Sequence, residues 1–151
     1  MRYAGIIHDD IAAGKGVNLT FFTQGCPRHC IGCHNPETWD FAGGKEFTTN
    51  TLQDIILGLI ANDVQRNFSI QGGEPLCDEN LFLTQLLVST VREKYPDIEI
   101  YVWTGYTFEE LMKRMSNPHL KQILEQIDYL IDGPFIESER DITLAMRGSK
   151  N

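Results

Sequence analysis

The stretch VNLTFFTQGCPRHCIGCHN, residues 17–35, contains the two features on which the interpretation of this chain depends. Its first six residues, VNLTFF, follow a flexible Gly-Lys-Gly segment and predict a buried β-strand over residues 17–22. The strand leads directly into a loop that holds three of the chain's four cysteines: Cys26, Cys30 and Cys33. Three thiols so close together indicate a shared chemical task.

Iron–sulfur clusters and zinc are the two kinds of metal centre that this loop suits. Cysteine thiolates ligate the irons of a [4Fe–4S] cube, so three of them would hold three irons and leave the fourth iron open for another ligand. A zinc site would need a fourth ligand, which His29, His34 or Cys77 could supply. The spacing of the cysteines alone does not decide between the two.

Two further alternatives need no metal. Cys30-Ile-Gly-Cys33 after a strand could form a thioredoxin-like redox pair, although this leaves Cys26 without a role. The cysteines could also be small buried side chains, but the Gly, Pro, Arg and His around them do not suit a dry core. The residues therefore favour a metal centre.

Composition and charge narrow the range of functions. The 151 residues suit one compact domain, and we expect residues 1–151 to form it. With 13 basic and 21 acidic residues the formal net charge is −8, which argues against nucleic acid or an anionic membrane surface as a partner. No apolar run reaches the roughly 18 residues that span a bilayer, and the first residues do not resemble a secretory signal. We therefore expect a cytoplasmic protein with reduced cysteines.

Strand and helix patterns alternate along the rest of the chain. Further strands are predicted at residues 67–70, 98–103 and 129–131, and residues 3–7 suit an edge strand. Helices are predicted after a cap at Thr49 or Asn50, at residues 107–115, and up to residue 126. A further helix is predicted from a cap at Asp78 to about Lys94, with these residues facing inward: Phe82, Leu86, Leu87 and Val91. The polar tail after Gly133-Pro134 is expected to pack loosely.

The alternation predicts an α/β fold with a mostly parallel sheet. About three β-α units are visible, whereas a complete eight-unit barrel needs about 250 residues, so we expect a partial, incomplete β/α barrel. Ligands of α/β folds bind at the carboxyl ends of the strands. Four segments follow those ends and are expected to meet at one edge: the cysteine loop, Gly72-Gly73-Glu74-Pro75, Thr104-Gly105-Tyr106 and Asp132-Gly133-Pro134.

The cysteine loop and the Gly-Gly-Glu-Pro segment together resemble a known family. Cys26-x3-Cys30-x2-Cys33 after one strand, with Gly72-Gly73-Glu74-Pro75 after the next, resembles the radical S-adenosylmethionine (SAM) superfamily. Gly32-Cys33-His34-Asn35-Pro36 and Thr38-Trp39 are similar to segments of glycyl-radical-enzyme activases. Three later segments are similar to the activating proteins of anaerobic (class III) ribonucleotide reductases: Trp103-Thr104-Gly105-Tyr106, Ile131-Asp132-Gly133 and Arg147-Gly148-Ser149.

The resemblance implies which residues bind the cofactors. Cys26, Cys30 and Cys33 would ligate one [4Fe–4S] cluster per chain, and the amino and carboxylate groups of SAM would chelate the fourth iron. Glycine backbone admits close contact and a carboxylate can receive an ammonium, so one segment would approach the methionyl end of SAM: Gly72, Gly73 and Glu74. The adenosyl group would contact a second segment through its backbone: Gly32, Cys33 and His34. Many radical SAM enzymes have an aromatic residue where this chain has Gly32, so that position offers no side chain for stacking.

The resemblance also implies a reaction and its partners. Reductive cleavage of SAM would give methionine and a 5′-deoxyadenosyl radical. That radical would take a hydrogen atom from a glycine Cα in the large subunit of anaerobic ribonucleoside-triphosphate reductase. A flavodoxin-type protein would donate the electron, and no catalytic side chain is needed beyond the cluster and SAM. The alternatives are an activase of pyruvate formate-lyase or of another glycyl-radical enzyme and, from a different class, a zinc-stabilised interaction module.

Overall fold

The computed structural model describes residues 1–151 and contains one six-stranded sheet with four α-helices. The strands are β1 Arg2–Asp10, β2 Asn18–Thr23, β3 Lys45–Glu46, β4 Asn67–Gly72, β5 Ile100–Trp103 and β6 Tyr129–Ile131. The helices are α1 Thr49–Gly58, α2 Asp78–Lys94, α3 Phe108–Met112 and α4 Pro118–Gln126. The predicted α/β class is therefore confirmed.

The sheet has the strand order β3-β1-β2-β4-β5-β6. Strands β2, β4, β5 and β6 run parallel to one another and have helices in their connections, whereas β1 is antiparallel to both of its neighbours. The mostly parallel sheet is thus as predicted. The expected edge strand at residues 3–7 is part of the longer β1, which is not at the edge because the two residues of β3 pair outside it.

One face of the sheet carries the apolar core. A single cluster of 18 buried side chains combines alternate strand residues, such as Phe21, Ile70 and Val102, with side chains from all four helices. Alternation places every second residue of a strand on the same face, so these residues pack against the helices while their neighbours face the other way. The helices therefore cover this face only.

Helix boundaries follow local capping signals. The cap of α1 is Thr48, one residue before the predicted position, and its hydroxyl accepts the Thr51 N–H at 3.3 Å. The cap of α2 is Cys77, one residue before the predicted Asp78, and the helix ends at Lys94 as predicted. The inward orientation of Phe82 is wrong, since 53% of this residue is exposed. Leu87 and Val91 are fully buried as predicted, and the N-terminal part of the inward stripe is formed by Leu81 and Leu83 in place of Phe82.

The opposite face of the sheet is polar and aromatic, and loops cover it in place of helices. Asn18 on β2 accepts a hydrogen bond from the Ser69 hydroxyl at 2.9 Å and donates its amide to the carbonyl of Gly14 at 2.9 Å. The hydroxyl of Tyr101 accepts the backbone N–H of Lys15 at 3.2 Å. These bonds hold the loop between β1 and β2 against the sheet.

The chain after β6 folds back over the same face, which corrects the expectation of a loosely packed tail. Arg140 and Ser149 form an antiparallel bridge. The indole N–H of Trp103 donates to the carbonyl of Met146 at 2.7 Å, and the Asn151 amide donates to the carbonyl of Pro134 at 2.6 Å. The tail is therefore part of the folded structure.

None of the helices combines the length and apolar character needed to cross a membrane.

Candidate metal and cofactor site

The cysteine loop leaves the carboxyl end of β2 and is anchored where it begins. Gly25 and Cys26 donate their backbone N–H groups to the carbonyls of Thr38 and Trp39 at 2.7 and 3.1 Å. Gly25 has a φ of 102°, and a Cβ there would collide with the ring of Phe41, so both conformation and space require glycine. The first cysteine is thus held at a defined place.

The three thiols of the loop are free, and two of them, those of Cys26 and Cys33, receive backbone N–H groups. Burial raises the pKa of the Cys26 thiol, and N–H groups of Arg28 and His29 act in the opposite direction by bonding to the sulfur. The Cys33 sulfur accepts the Asn35 N–H at 3.4 Å. Hydrogen bonds to sulfur stabilise thiolates and help to set the potential of iron–sulfur clusters. The donor set therefore suits a cluster.

The geometry differs from that of a site for one metal ion. No three side chains among His, Cys, Asp and Glu converge on a point where they could ligate a single ion. A [4Fe–4S] cube places its thiolates on different irons, so its ligands need not converge on one point. The three free thiols of Cys26, Cys30 and Cys33 in one loop fit that requirement.

A cavity of about 410 Å³ lies beside the loop, at the carboxyl ends of the parallel strands. All four segments that were expected to meet at this edge contribute to its wall, so that prediction is confirmed, and the tail forms the remaining side. The volume is in the range of small-molecule and cofactor sites. Its wall includes Cys33, His34, Gly72, Gly73, Trp103, Thr104, Gly105, Asp132, Phe135, Met146 and Gly148.

Gly72 and Gly73 lie between the cavity and the start of the cysteine loop. Gly73 donates its N–H to the carbonyl of Thr23 at 2.9 Å. A Cβ on Gly73 would collide with the Gly25 carbonyl, and a Cβ on Gly72, whose φ is 107°, would lie 2.5 Å from the Thr23 nitrogen. The glycines are therefore needed for close packing of two loops, apart from any contact with a ligand.

The carboxylate of Glu74 is engaged within the protein and does not line the cavity. It is 1% exposed and accepts hydrogen bonds from the Thr104 hydroxyl at 2.6 Å, the Gly105 N–H at 2.7 Å and the Leu76 N–H at 3.0 Å. Burial raises its pKa, and the three donors oppose that shift. Glu74 thus joins the end of β4 to the end of β5.

Asn80 at the start of α2 is a structural residue that the sequence analysis did not identify. Its buried amide donates to the carbonyls of Gly25 and Glu74 at 3.2 and 3.0 Å. It therefore connects the cysteine loop to the Gly-Gly-Glu segment. An Asn in the first turn of a helix is common, so its sequence position carried no signal for this contact.

The ring of Tyr106 packs against two arginines, one of which, Arg28, belongs to the cysteine loop. The guanidinium carbons of Arg28 and Arg114 lie 4.9 and 4.7 Å from the ring centre of Tyr106. Cations over an aromatic face are attracted by its quadrupole. These contacts hold Arg28, two residues after Cys26, against Tyr106.

Cys77 is separate from the three loop cysteines in its chemistry. It is buried before the first turn of α2, and burial together with nearby carboxylates raises its pKa to about 12. His34 is at the cavity wall, where its ring packs at 5.1 Å against that of Phe135.

The comparisons with known proteins agree with this donor set. The family described as "4Fe-4S single cluster domain" matches residues 12–151. An anaerobic ribonucleoside-triphosphate reductase-activating protein of Pasteurella multocida is 36% identical over 100% of this chain and 94% of its own length. The proteins of that name from Escherichia coli K12 and Enterobacteria phage T4 are 36% and 32% identical and are covered over 96% and 91%.

The chain belongs to this family of activating proteins. The resemblance to the activating proteins of anaerobic ribonucleotide reductases, which the sequence indicated, is therefore confirmed. The match also supports an iron–sulfur cluster in this chain, and it favours the cluster over the zinc and redox-pair alternatives. Because the matched range includes the cysteine loop, the cavity wall and the tail, the whole site lies inside the family domain.

Proposed function

We propose that this protein activates an anaerobic ribonucleoside-triphosphate reductase by reductive cleavage of SAM at a [4Fe–4S] cluster. The observation that carries the proposal is a loop with three free thiols beside a cavity of about 410 Å³, in a chain of this activating-protein family. Three thiolates leave one iron open, and the cavity offers space for a cofactor next to Cys33.

The cofactors supply the difficult chemistry, and the protein supplies position. With one electron from a flavodoxin-type donor, bound SAM breaks into methionine and a 5′-deoxyadenosyl radical. Transfer of a hydrogen atom from a glycine Cα of the reductase then gives 5′-deoxyadenosine and a glycyl radical. Cys26, Cys30 and Cys33 would hold the cluster, and the N–H contacts to the sulfurs of Cys26 and Cys33 would stabilise its charge.

The backbone around the cavity would bind SAM. Gly72 and Gly73 line the cavity, and the methionyl end would lie against their backbone, which no side chain covers. Because the Glu74 carboxylate is already bonded to three donors, we assign it the task of holding these groups in place. The backbone of Gly32, Cys33 and His34 would contact the adenosyl group.

The sheet offers a path for the reductase. Strands β2, β4, β5 and β6 would form a partial barrel of the radical SAM type, with residues 1–151 as its single domain. The outer side of β6 has no partner strand. A second cavity of about 360 Å³ lies there, between residues 130–132 and the tail residues 145–147. A glycine-bearing segment of the reductase large subunit would approach along this side, in the cytoplasm.

Anaerobic reconstitution tests the proposal. Protein with about four iron and four sulfide per chain, incubated with dithionite and SAM, is expected to release equal amounts of methionine and 5′-deoxyadenosine. Addition of the reductase large subunit is expected to give a glycyl EPR doublet. A doublet with pyruvate formate-lyase alone would assign the protein to that alternative, and bound zinc without sulfide would contradict the proposal.

A further inference from the structure

The backbone conformation before the last loop cysteine disfavours any side chain. Gly32 has a φ of 76°, which L-residues rarely adopt, and a Cβ there would lie 2.9 Å from the carboxyl carbon of Glu137. Glu137 belongs to the short turn after β6, which packs directly on the cysteine loop. Gly32 offers no side chain for stacking and its positive φ disfavours one, so a stacking surface for a base must come from another element.

Phe135 places an aromatic ring at the cavity wall close to the same segment. Its ring centre is 5.1 Å from that of His34, at an interplanar angle of 56°, and the residue is half-buried. A Cβ added at Gly148 would lie 3.1 Å from the Phe135 ring. The ring is thus enclosed by the cysteine loop and the tail, while part of it faces the cavity.

The backbone on both sides of Phe135 is fixed. Gly133, at a φ of 95°, donates its N–H to the carbonyl of Tyr106 at 2.8 Å, and the carbonyl of Pro134 accepts the Asn151 amide at 2.6 Å. The next N–H, that of Ile136, donates to the Ser149 hydroxyl at 3.2 Å. A ring held in this way loses little further entropy when a flat ligand packs on it.

We propose that Phe135 is the stacking surface for the adenine of SAM, an inference that rests on the proposed function. The ring of Phe135 contacts that of His34. A base whose sugar contacts the backbone at residues 32–34 would therefore lie within reach of Phe135. The other large aromatic at the wall, Trp103, has its indole N–H engaged by Met146 and its ring stacked on Tyr101 at 6.1 Å. Phe135 is therefore the better placed of the two.

The test compares variants of the reconstituted protein in binding three ligands: SAM, 5′-deoxyadenosine and methionine. Phe135→Leu is expected to weaken binding of SAM and 5′-deoxyadenosine about ten-fold, in line with base–aromatic stacking, and to leave methionine unchanged. Phe135→Tyr keeps the ring and is expected to remain within about two-fold of the wild type. Phe82→Leu on the exposed side of α2 is the matched control.

The outcomes separate this inference from the proposed function. Wild-type protein that carries the cluster but binds no SAM would overturn the proposed function. Normal SAM binding by Phe135→Leu, or an equal loss for methionine, would overturn the stacking role alone. If the Leu variant loses its iron, its ligand binding no longer tests the stacking role. The test is then an NOE between Phe ring protons and the adenine H2 or H8 of bound 5′-deoxyadenosine. This NOE is expected in the wild type and should vanish in the Phe135→Tyr variant produced with deuterated tyrosine. Its persistence there overturns the inference.

Discussion

The two faces of the sheet are built on opposite principles. On the helix-covered face, Phe21, Ile70 and Val102 pack with helical side chains into one apolar cluster. On the other face, polar and aromatic side chains such as Ser69 and Trp103 meet loops, and a cavity remains open. Close packing stabilises the fold, whereas a binding site needs unfilled space. The difference indicates that stability and function are carried by side chains that alternate along the same strands.

Substitutions in the cysteine loop are expected to give the largest effect on function. Replacing Cys26, Cys30 or Cys33 by Ser is expected to lower the iron and sulfide content from about four per chain to near zero, because each thiolate would hold its own iron. Cys77→Ser is the matched control and should retain the cluster. Iron and sulfide analysis after anaerobic reconstitution measures this. Full cluster content in any of the three loop variants would contradict the ligand assignment.

Isoleucine side chains on the two faces allow a direct comparison. Ile70→Ala removes a fully buried core side chain and is expected to lower the free energy of unfolding by about 2–5 kcal/mol. Ile131→Ala, at the cavity wall, should cost less than half as much, since its site is already partly open. Urea unfolding of both variants measures the difference. Equal losses would show that the cavity face is packed as tightly as the core.

Glu74 tests whether the site depends on the connection between strand ends. Glu74→Gln is expected to destabilise the protein by about 1–3 kcal/mol, because one amide oxygen cannot serve all three donors and its NH₂ group opposes a backbone N–H. Glu109→Gln, an exposed carboxylate on α3, should stay within about 0.5 kcal/mol. An unchanged midpoint in urea for Glu74→Gln would mean that the buried carboxylate is not structural.

The bond between Trp103 and the tail should give the smallest effect. Trp103→Phe keeps an aromatic ring but loses the 2.7 Å hydrogen bond to Met146, which is expected to contribute about 1 kcal/mol. Hydrogen exchange should become faster at residues 139–151 and remain unchanged in α2. Equal exchange rates in the tail of both proteins would show that other contacts, such as that of Asn151 with Pro134, suffice to hold it.

Local signals in the sequence predicted most of the helix-covered face. The end of α2, the bounds of β6 and the meeting of four strand-end segments follow from periodicity, turn residues and the topology of parallel sheets. The inward orientation of Phe82 was wrong because α2 has apolar residues on more than one side, including Leu81 and Leu83, and hydrophobicity alone does not rank the sides.

The loop-covered face was less predictable because its contacts join distant parts of the chain. Trp103 bonds to a carbonyl 43 residues later, and the Asn80 amide bonds to a carbonyl 55 residues earlier. A polar tail and an Asn near a helix start have no periodicity that would reveal such partners. The cysteines were recognisable as a functional set from their spacing, but the role of Glu74 as a bridge between strands depends on geometry alone.

The folded tail has a practical consequence for handling the protein. Asn151 lies at the wall of the cavity, whereas Met1 is 53% exposed on the far part of the sheet beside β3. An affinity tag or fluorescent fusion joined directly after Asn151 would begin at the wall of this cavity and obstruct it. The same label placed before Met1 leaves that region untouched, so recombinant forms that differ only in the position of the tag should differ in the access of small molecules to the cavity.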